Sequence, residues 1–447
     1  MSHSQTSMLD APSATTPLDR TWIRVDLDAV DHNVTQIRRK LSKGTSLMAV
    51  VKANAYGHGI GPVARAALYS GAQRLGVAHV AEGLELRAQG ITAPILLLGA
   101  CAEADYALGI QNNLSFAISS AAEARALAVR ARREFMHGRL PGRVKVHLLV
   151  DTGMGRSGAS PDDATAIGLS IQDEDTLDLE GVFTHFSSAE DPDPTANLEQ
   201  YYIFYCVLDE MNRRGVRPRI RHAANSAATA FFKDSHLDMV RCGAMMHGMR
   251  WWTDEQEKKA GLGDLNLKPS LSWHTRIVHI AKRPVGWTVG YGRTFKAERE
   301  TILATLPIGY RDGYPRSLSN RGEVLICGQR APVVGIVSMD FTVVDITDLC
   351  WTSGGKAEVG TDVTLLGDSL CGKGKISVEE FATRAQTIPY VVTTTLPTSA
   401  PRVYTGKICQ ELAGMAESEM EVRSAVTSRF FQSKPQAEAP NLLRRLA

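Results

Sequence analysis

Several features are scarce or missing in this chain, and each excludes something. Cysteine is scarce: the seven in 447 residues are odd in number, widely scattered and never spaced Cys-x-x-Cys. That argues against a disulfide framework and against a structural zinc site, so no metal is expected. An excess of one charge is missing too. Fifty Lys plus Arg stand against 48 Asp plus Glu, a net +2, which gives no reason to expect nucleic acid or an anionic membrane as a partner. No apolar run approaches the roughly 18 residues that would span a bilayer. The first twenty residues, rich in Ser, Thr, Pro and Ala, contain no apolar stretch of the secretory kind. The expectation is a reduced, cytoplasmic protein that acts on small molecules.

What is present is ordinary globular composition, with 44% hydrophobic and 22% charged residues, in a length that allows two or three domains. From Thr21 to about Leu265, short Val, Ile and Leu-rich runs alternate with stretches of helical periodicity, the pattern of repeated βα units around a parallel sheet. Candidate strands end near Lys52, His79, Leu98, Ile118, Val150, His185, Ala223 and Cys242. That number favours a closed (β/α)8 barrel of the TIM type over an open sheet. Helices are expected over Asp28 to Ser42, Ser120 to Arg133 and Asn197 to Arg214, each with one apolar face. After about Leu267 the texture changes to short strands separated by Gly, Pro, Asp and Asn, which predicts a β-rich second domain. The expected organisation is a flexible extension over 1–20, an α/β barrel over 21–266, a β-rich domain over 267–410 and a tail over 411–447.

The most informative string is Met48 to Gly59, MAVVKANAYGHG. Lys52 closes an apolar strand at the C-terminal mouth of the barrel, where barrel enzymes place catalytic groups. An amine there is partly desolvated, which lowers its pKa and frees it to form a Schiff base with an aldehyde or ketone. On position alone, a rim lysine that caps carbonyls or forms a salt bridge is the commoner case. Asn225 and Ser226 in HAANSAAT follow a strand and precede a short helix, where free N–H groups and a hydroxyl can take a phosphate or simply serve as an N-cap. Gly243 follows the last barrel strand and lets the backbone approach an anion closely.

The string VVKANAYGHG resembles the pyridoxal-phosphate (PLP) attachment motif of alanine racemases. Other segments match that family in order: DTGMGRSG (Asp151 to Gly158), FTHFSSAED (Phe183 to Asp191), HAANSAAT (His222 to Thr229), VRCG (Val240 to Gly243), VGYGRTF (Val289 to Phe295), PIGYRDGYPR (Pro307 to Arg316) and SMD (Ser338 to Asp340). The likeness spans roughly Thr21 to Tyr404. It implies a PLP enzyme that interconverts L- and D-alanine in a homodimer with shared active sites. Tyr56, Asn225, Ser226 and the backbone near Gly243 would hold the phosphate, and His185 would line the cofactor ring. Arg241 would face the pyridine nitrogen, braced by His222. An arginine cannot readily give that nitrogen a proton, so the ring is a weaker electron sink and side reactions such as transamination are disfavoured. A rim arginine that pairs a carboxylate is the plainer reading.

Racemisation needs a proton removed from one face of Cα and another delivered to the opposite face. The resemblance assigns these tasks to Lys52 and to Tyr291, the latter supplied by the partner subunit. Without it, Tyr291 is a tyrosine in a Gly-flanked turn. Arg156 would bind the substrate carboxylate or polarise the base tyrosine, with Met339 and Asp340 adding contacts from the partner chain and Tyr310 narrowing the way in. Three positions depart from the family pattern. Leu149 stands where many members carry a carbamylated lysine, so another anion, such as chloride, or a nearby carboxylate would have to balance Arg156. Thr398 stands where the x-x-P-R spacing would put a phosphate-binding tyrosine. His247 replaces a tyrosine. Alternatives are a broader racemase acting on serine or other small amino acids, a PLP decarboxylase, for which a protonated ring and hence a carboxylate in place of Arg241 is expected, and a PLP-binding protein without activity.

Overall fold

The computed structural model describes residues 20–139, 142–250, 252, 254–259, 265–350 and 357–414. The extension expected over 1–20 and the tail expected over 411–447 therefore lie outside the described residues, apart from Arg20 and 411–414. Strand β1 (Thr21–Asp26) is followed by the barrel strands β2 (Ser46–Val50), β3 (Arg74–Val77), β4 (Ile95–Leu97), β5 (Leu114–Ile118), β6 (Val144–Leu149), β7 (Leu177–Phe183), β8 (Ile220–His222) and β9 (Met239–Cys242). β2 to β9 form one eight-stranded parallel sheet in the order β8-β7-β6-β5-β4-β3-β2-β9. The β8–β9 seam is spanned by backbone bonds from Asp238 N to Arg221 O and from Arg241 N to Ala224 O, each 3.0 Å. The eight strands end where the sequence pattern put them, and the barrel is nearly closed.

The helices follow from caps and apolar faces. The Asp26 carboxylate accepts from Asp28 N and Ala29 N and starts the helix Leu27–Lys40, a cap worth about 1 kcal/mol. Val30, Val34 and Ile37 form its buried face, and Arg38, Arg39 and Lys40 lie in its last turn, where cations suit the helix dipole. Helices Ala121–Met136 and Thr195–Arg213 likewise occupy the predicted stretches.

β1 departs from the expectation that counted it with the barrel. It pairs antiparallel with β10 (Leu271–Arg276) and parallel with the strand Arg402–Thr405, inside the seven-stranded sheet of the β-rich domain. Both partners are far away in sequence, so the segment TWIRVD offers no local sign of them. Trp273 Nε1 donates to Thr21 Oγ1 and Thr21 Oγ1 to His274 O, each at 2.7 Å, fixing the register. A three-stranded sheet and a hairpin complete this domain. No helix among the described residues is long and apolar enough to cross a membrane.

Candidate active site

At the C-terminal mouth of the barrel, β2 leads into a left-handed turn. Ala53, Asn54, Ala55 and Tyr56 all have φ between 51° and 56°, a conformation that costs about 1–2 kcal/mol per non-glycine residue. Hydrogen bonds hold it: Glu82 Oε1 accepts from Ala53 N at 2.6 Å and Asn54 Oδ1 from Ile60 N at 2.8 Å. The turn brings Lys52 and Tyr56 onto the wall of one cavity of about 690 Å³. Gly57 and Gly59 then pass against the β-rich domain. A Cβ on Gly57 would lie 2.0 Å from Thr393 O, and one on Gly59 would lie 1.8 Å from the Tyr404 hydroxyl.

The same cavity is lined by Leu149, Arg156, His185, Asn225, Ser226, Arg241, Gly243 and Tyr390. Burial, then the Arg156 cation, lower the Lys52 pKa below its ordinary value, against the Glu82 carboxylate, which raises it. At one end of the cavity Ser226 Oγ accepts from Gly243 N at 3.0 Å. A Cβ on Gly243 would fall 2.4 Å from the Tyr56 hydroxyl, so only glycine leaves that phenol its place. The Tyr390 ring lies 6.0 Å from that of Tyr56. Burial, followed by the neighbouring phenol of Tyr390, pushes Tyr56 well above the ordinary tyrosine range. Tyr390 itself is pushed up to about 12, chiefly by burial. Both hydroxyls stay protonated and can donate. Asn225 Oδ1 is engaged in capping, accepting from Ala228 N at 3.0 Å.

Arg241, on β9, is buried beneath the cavity. Its Nη2 donates to Thr184 O at 2.8 Å and Ala223 O at 3.0 Å and lies 3.3 Å from His185 Nδ1, while Nη1 lies 3.0 Å from His222 Nδ1. Burial lowers its pKa to about 9, so it is a cation at neutral pH. Burial, then the nearby Arg241, Arg156 and Lys52, drop His185 to about 3. His222 is fully buried and sits behind Arg241, outside the cavity lining, so it contacts the cofactor site only through that arginine, as its brace. Asp151 accepts from the N–H groups of Gly153, Met154 and Gly155 at 2.9–3.1 Å and so shapes the loop that presents Arg156.

Two of the departures read differently in three dimensions. Thr398 is exposed and does not line the cavity. The tyrosine that joins Tyr56 in the lining is Tyr390, in the helix Pro389–Thr394, which the spacing argument missed by counting back from the Pro-Arg pair. Leu149 is buried with Ala117 and Phe183 at the cavity edge. Arg156 has no ion pair among the described residues, and the carboxylate whose field it shares is Asp151.

The remaining sequence candidates lie elsewhere. Tyr291 is 73% exposed in a turn of the β-rich domain. Tyr310 and Met339 are exposed neighbours, joined through Tyr310 N to Ser338 O and Arg311 N to Met339 O, both 3.1 Å. Asp340 pairs with Arg311 at 3.4 Å. None of the four lines the cavity of the same chain.

Comparison with known proteins now decides the family. Residues 25–250 match the model of the alanine racemase N-terminal domain, and residues 270–404 match that of the C-terminal domain. The chain belongs to the alanine racemase family. It is 41% identical over 389 residues to the alanine racemase of Symbiobacterium thermophilum, covering 87% of this chain and 97% of that one. It is 38% identical over 388 residues to that of Halothermothrix orenii, with the same coverage. Among solved structures it resembles alanine racemase from D-cycloserine-producing Streptomyces lavendulae, with a TM-score of 0.78 and 34% identity over 88% of this chain and 98% of that one. It resembles equally the Bacillus anthracis enzyme with bound L-Ala-P, with a TM-score of 0.78 and 34% identity over 88% and 97%.

Proposed function

We propose that this chain is a PLP-dependent enzyme that interconverts L- and D-alanine, working in the cytoplasm as a homodimer. The observation that carries the racemase reading over decarboxylation is Arg241: the side chain beneath the cavity is a buried cation among neutral partners, where a decarboxylase needs a carboxylate. The residues fit the cofactor. Lys52 would hold it covalently. The hydroxyls of Tyr56, Tyr390 and Ser226 and the backbone at Gly243 would hold its phosphate, and Arg241 would donate to its ring nitrogen. PLP, when bound, supplies the electron withdrawal that acidifies the Cα–H of an amino acid.

The chain's own residues supply the rest. The lowered pKa of Lys52 suits its Nζ to take and return a proton on one face of Cα. The Tyr291 hydroxyl, from the partner subunit, would serve the other face. Its exposure, and that of Tyr310 and Met339, supports a site completed by a second copy. Arg156 offers parallel donors to the substrate carboxylate. Arg241 keeps its protons and so limits charge build-up on the ring. Free thiols, exposed at Cys206, Cys327 and Cys371, favour a reducing compartment.

The test is to incubate the PLP-loaded protein with L-alanine in heavy water. Deuterium entering Cα as D-alanine accumulates is the expected result. A PLP spectrum with neither exchange nor D-alanine would sink the assignment.

A further inference from the structure

A chain of buried polar side chains crosses the barrel interior below Arg241. His222 Nδ1 lies 3.0 Å from Arg241 Nη1, and His222 Nε2 lies 2.8 Å from His147 Nδ1. His147 Nε2 lies 3.1 Å from Glu180 Oε2, and Arg74 grips the Glu180 carboxylate with two bonds of 2.8 and 3.1 Å. His147 and His222 are fully buried, and the Glu180 side chain is nearly so. The members come from β3, β6, β7, β8 and β9, so no stretch of sequence contains the chain.

The protonation pattern follows from chemistry alone. A guanidinium has donors and no acceptor, so His222 Nδ1 must present its lone pair to Arg241. The His222 proton then sits on Nε2 and is donated to His147 Nδ1. That places the His147 proton on Nε2, donated to Glu180, which must be ionised to accept from both His147 and Arg74. One arrangement satisfies every group, and its far end is the carboxylate. Burial alone would raise the Glu180 pKa, yet the hydrogen bonds from His147 and Arg74 hold it well below the carboxylate range.

The backbone is shaped for this contact. The β6–β7 register shifts between Val146 and His147, from Leu179 to Gly181 on the partner strand, so Glu180 is the extra residue of a bulge in β7. Gly181 stands opposite, and a Cβ there would come 2.2 Å from His147 Nδ1.

We propose that Glu180, acting through His147 and His222, is a positioning residue that fixes the tautomer of His222 and thereby holds Arg241 as a donor toward the cofactor ring. Arg241 donates to Thr184 O, Ala223 O and His222, which leaves its Nε–H and one Nη1–H without a protein acceptor among the described residues. The proposal rests on the racemase reading for its catalytic consequence, but not for the tautomers.

The test is 15N NMR of histidine-labelled, PLP-loaded protein, with His147 and His222 assigned by single substitutions. Both rings are expected neutral with the proton on Nε2. A proton on Nδ1 of either ring, or an imidazolium, would overturn the proposal, and this reading needs no active variant. Glu180→Gln is expected to lower kcat about tenfold with little change in KM, and Glu180→Asp to recover part of the loss, as for other groups that orient a histidine. An unchanged kcat in Glu180→Gln would also overturn it. Absence of racemisation in the wild type, with the tautomers as expected, would refute the functional reading and leave the tautomer lock standing.

Discussion

The barrel mouth and the β-rich domain carry the two halves of the proposed chemistry in opposite states. In the barrel, Lys52, Tyr56 and Arg241 converge on one cavity, and burial sets their ionisation. In the β-rich domain, Tyr291, Tyr310 and Met339 are exposed. The first half is organised by the fold of one chain. The second presents reactive and apolar side chains to whatever docks there, which is the form expected of a site shared across a two-fold interface.

The comparison breaks most sharply at its two bases. Lys52→Ala would remove both the proposed cofactor attachment and one proposed base, and activity is expected to fall by about ten-thousandfold. Tyr291→Phe is expected to cost about a hundredfold while PLP stays bound. Steady-state racemisation and the visible spectrum measure both. Mixing the two inactive variants under conditions of subunit exchange sharpens the point. Random pairing gives heterodimers in which one site has both an intact Lys52 and an intact Tyr291, restoring about a quarter of the wild-type rate. No recovery in demonstrably mixed dimers would mean that both bases come from one chain.

The two regions also differed in how legible they were. Barrel strands are buried on both faces, so each is a dense apolar run that stands out, and their order along the chain is their order in space. β1 was assigned to the wrong region because both its sheet partners lie more than 200 residues downstream. Motif strings gave the cavity residues because Lys52 to Gly59 is a local structure, a left-handed turn whose Gly57 and Gly59 are required by backbone contacts. Tyr390 was missed because its place depends on how the helix Pro389–Thr394 folds back over the cavity, while counting from Pro401 and Arg402 pointed to Thr398. The Arg74 to Arg241 chain was invisible beyond His222, since its members are spread over five strands.

Tyr390 and Thr398 give the next contrast. One buried hydroxyl donating to an anion is worth about 1.5–3 kcal/mol, so Tyr390→Phe should weaken PLP binding by about tenfold or more. Thr398→Ala, at an exposed residue outside the cavity, should leave it unchanged. Fluorescence titration of the PLP-free protein measures both, and the reverse ranking would restore the spacing-based assignment.

The smallest expected effect concerns charge inside and outside the core. Glu180 has a depressed pKa in the folded protein, so its ionised form contributes stability that is fully present above the unfolded value of about 4.3 and is lost as the pH falls through the folded value. His147 and His222 are held neutral, first by burial, with the Arg241 cation adding to the effect at His222 and Glu180 opposing it at His147. Unfolding lets both take protons below about pH 6.5, so stability should decline from there and fall further as the carboxylate titrates. Glu323 offers the contrasting case: it pairs with Arg330 at 2.6 Å and Arg384 at 3.0 Å on the half-exposed face of the β-rich domain. Exposed pairs of that kind contribute about 0–1 kcal/mol. Thermal melts from pH 7 to pH 2 should therefore show Glu323→Gln tracking the wild type within a few degrees. Glu180→Gln, which leaves the half-buried Arg74 without its anion, should start lower and lose less below about pH 4, where the wild type gives up its ionised Glu180. If the two variants have parallel acid limbs, the buried chain is no more coupled to protons than the surface is.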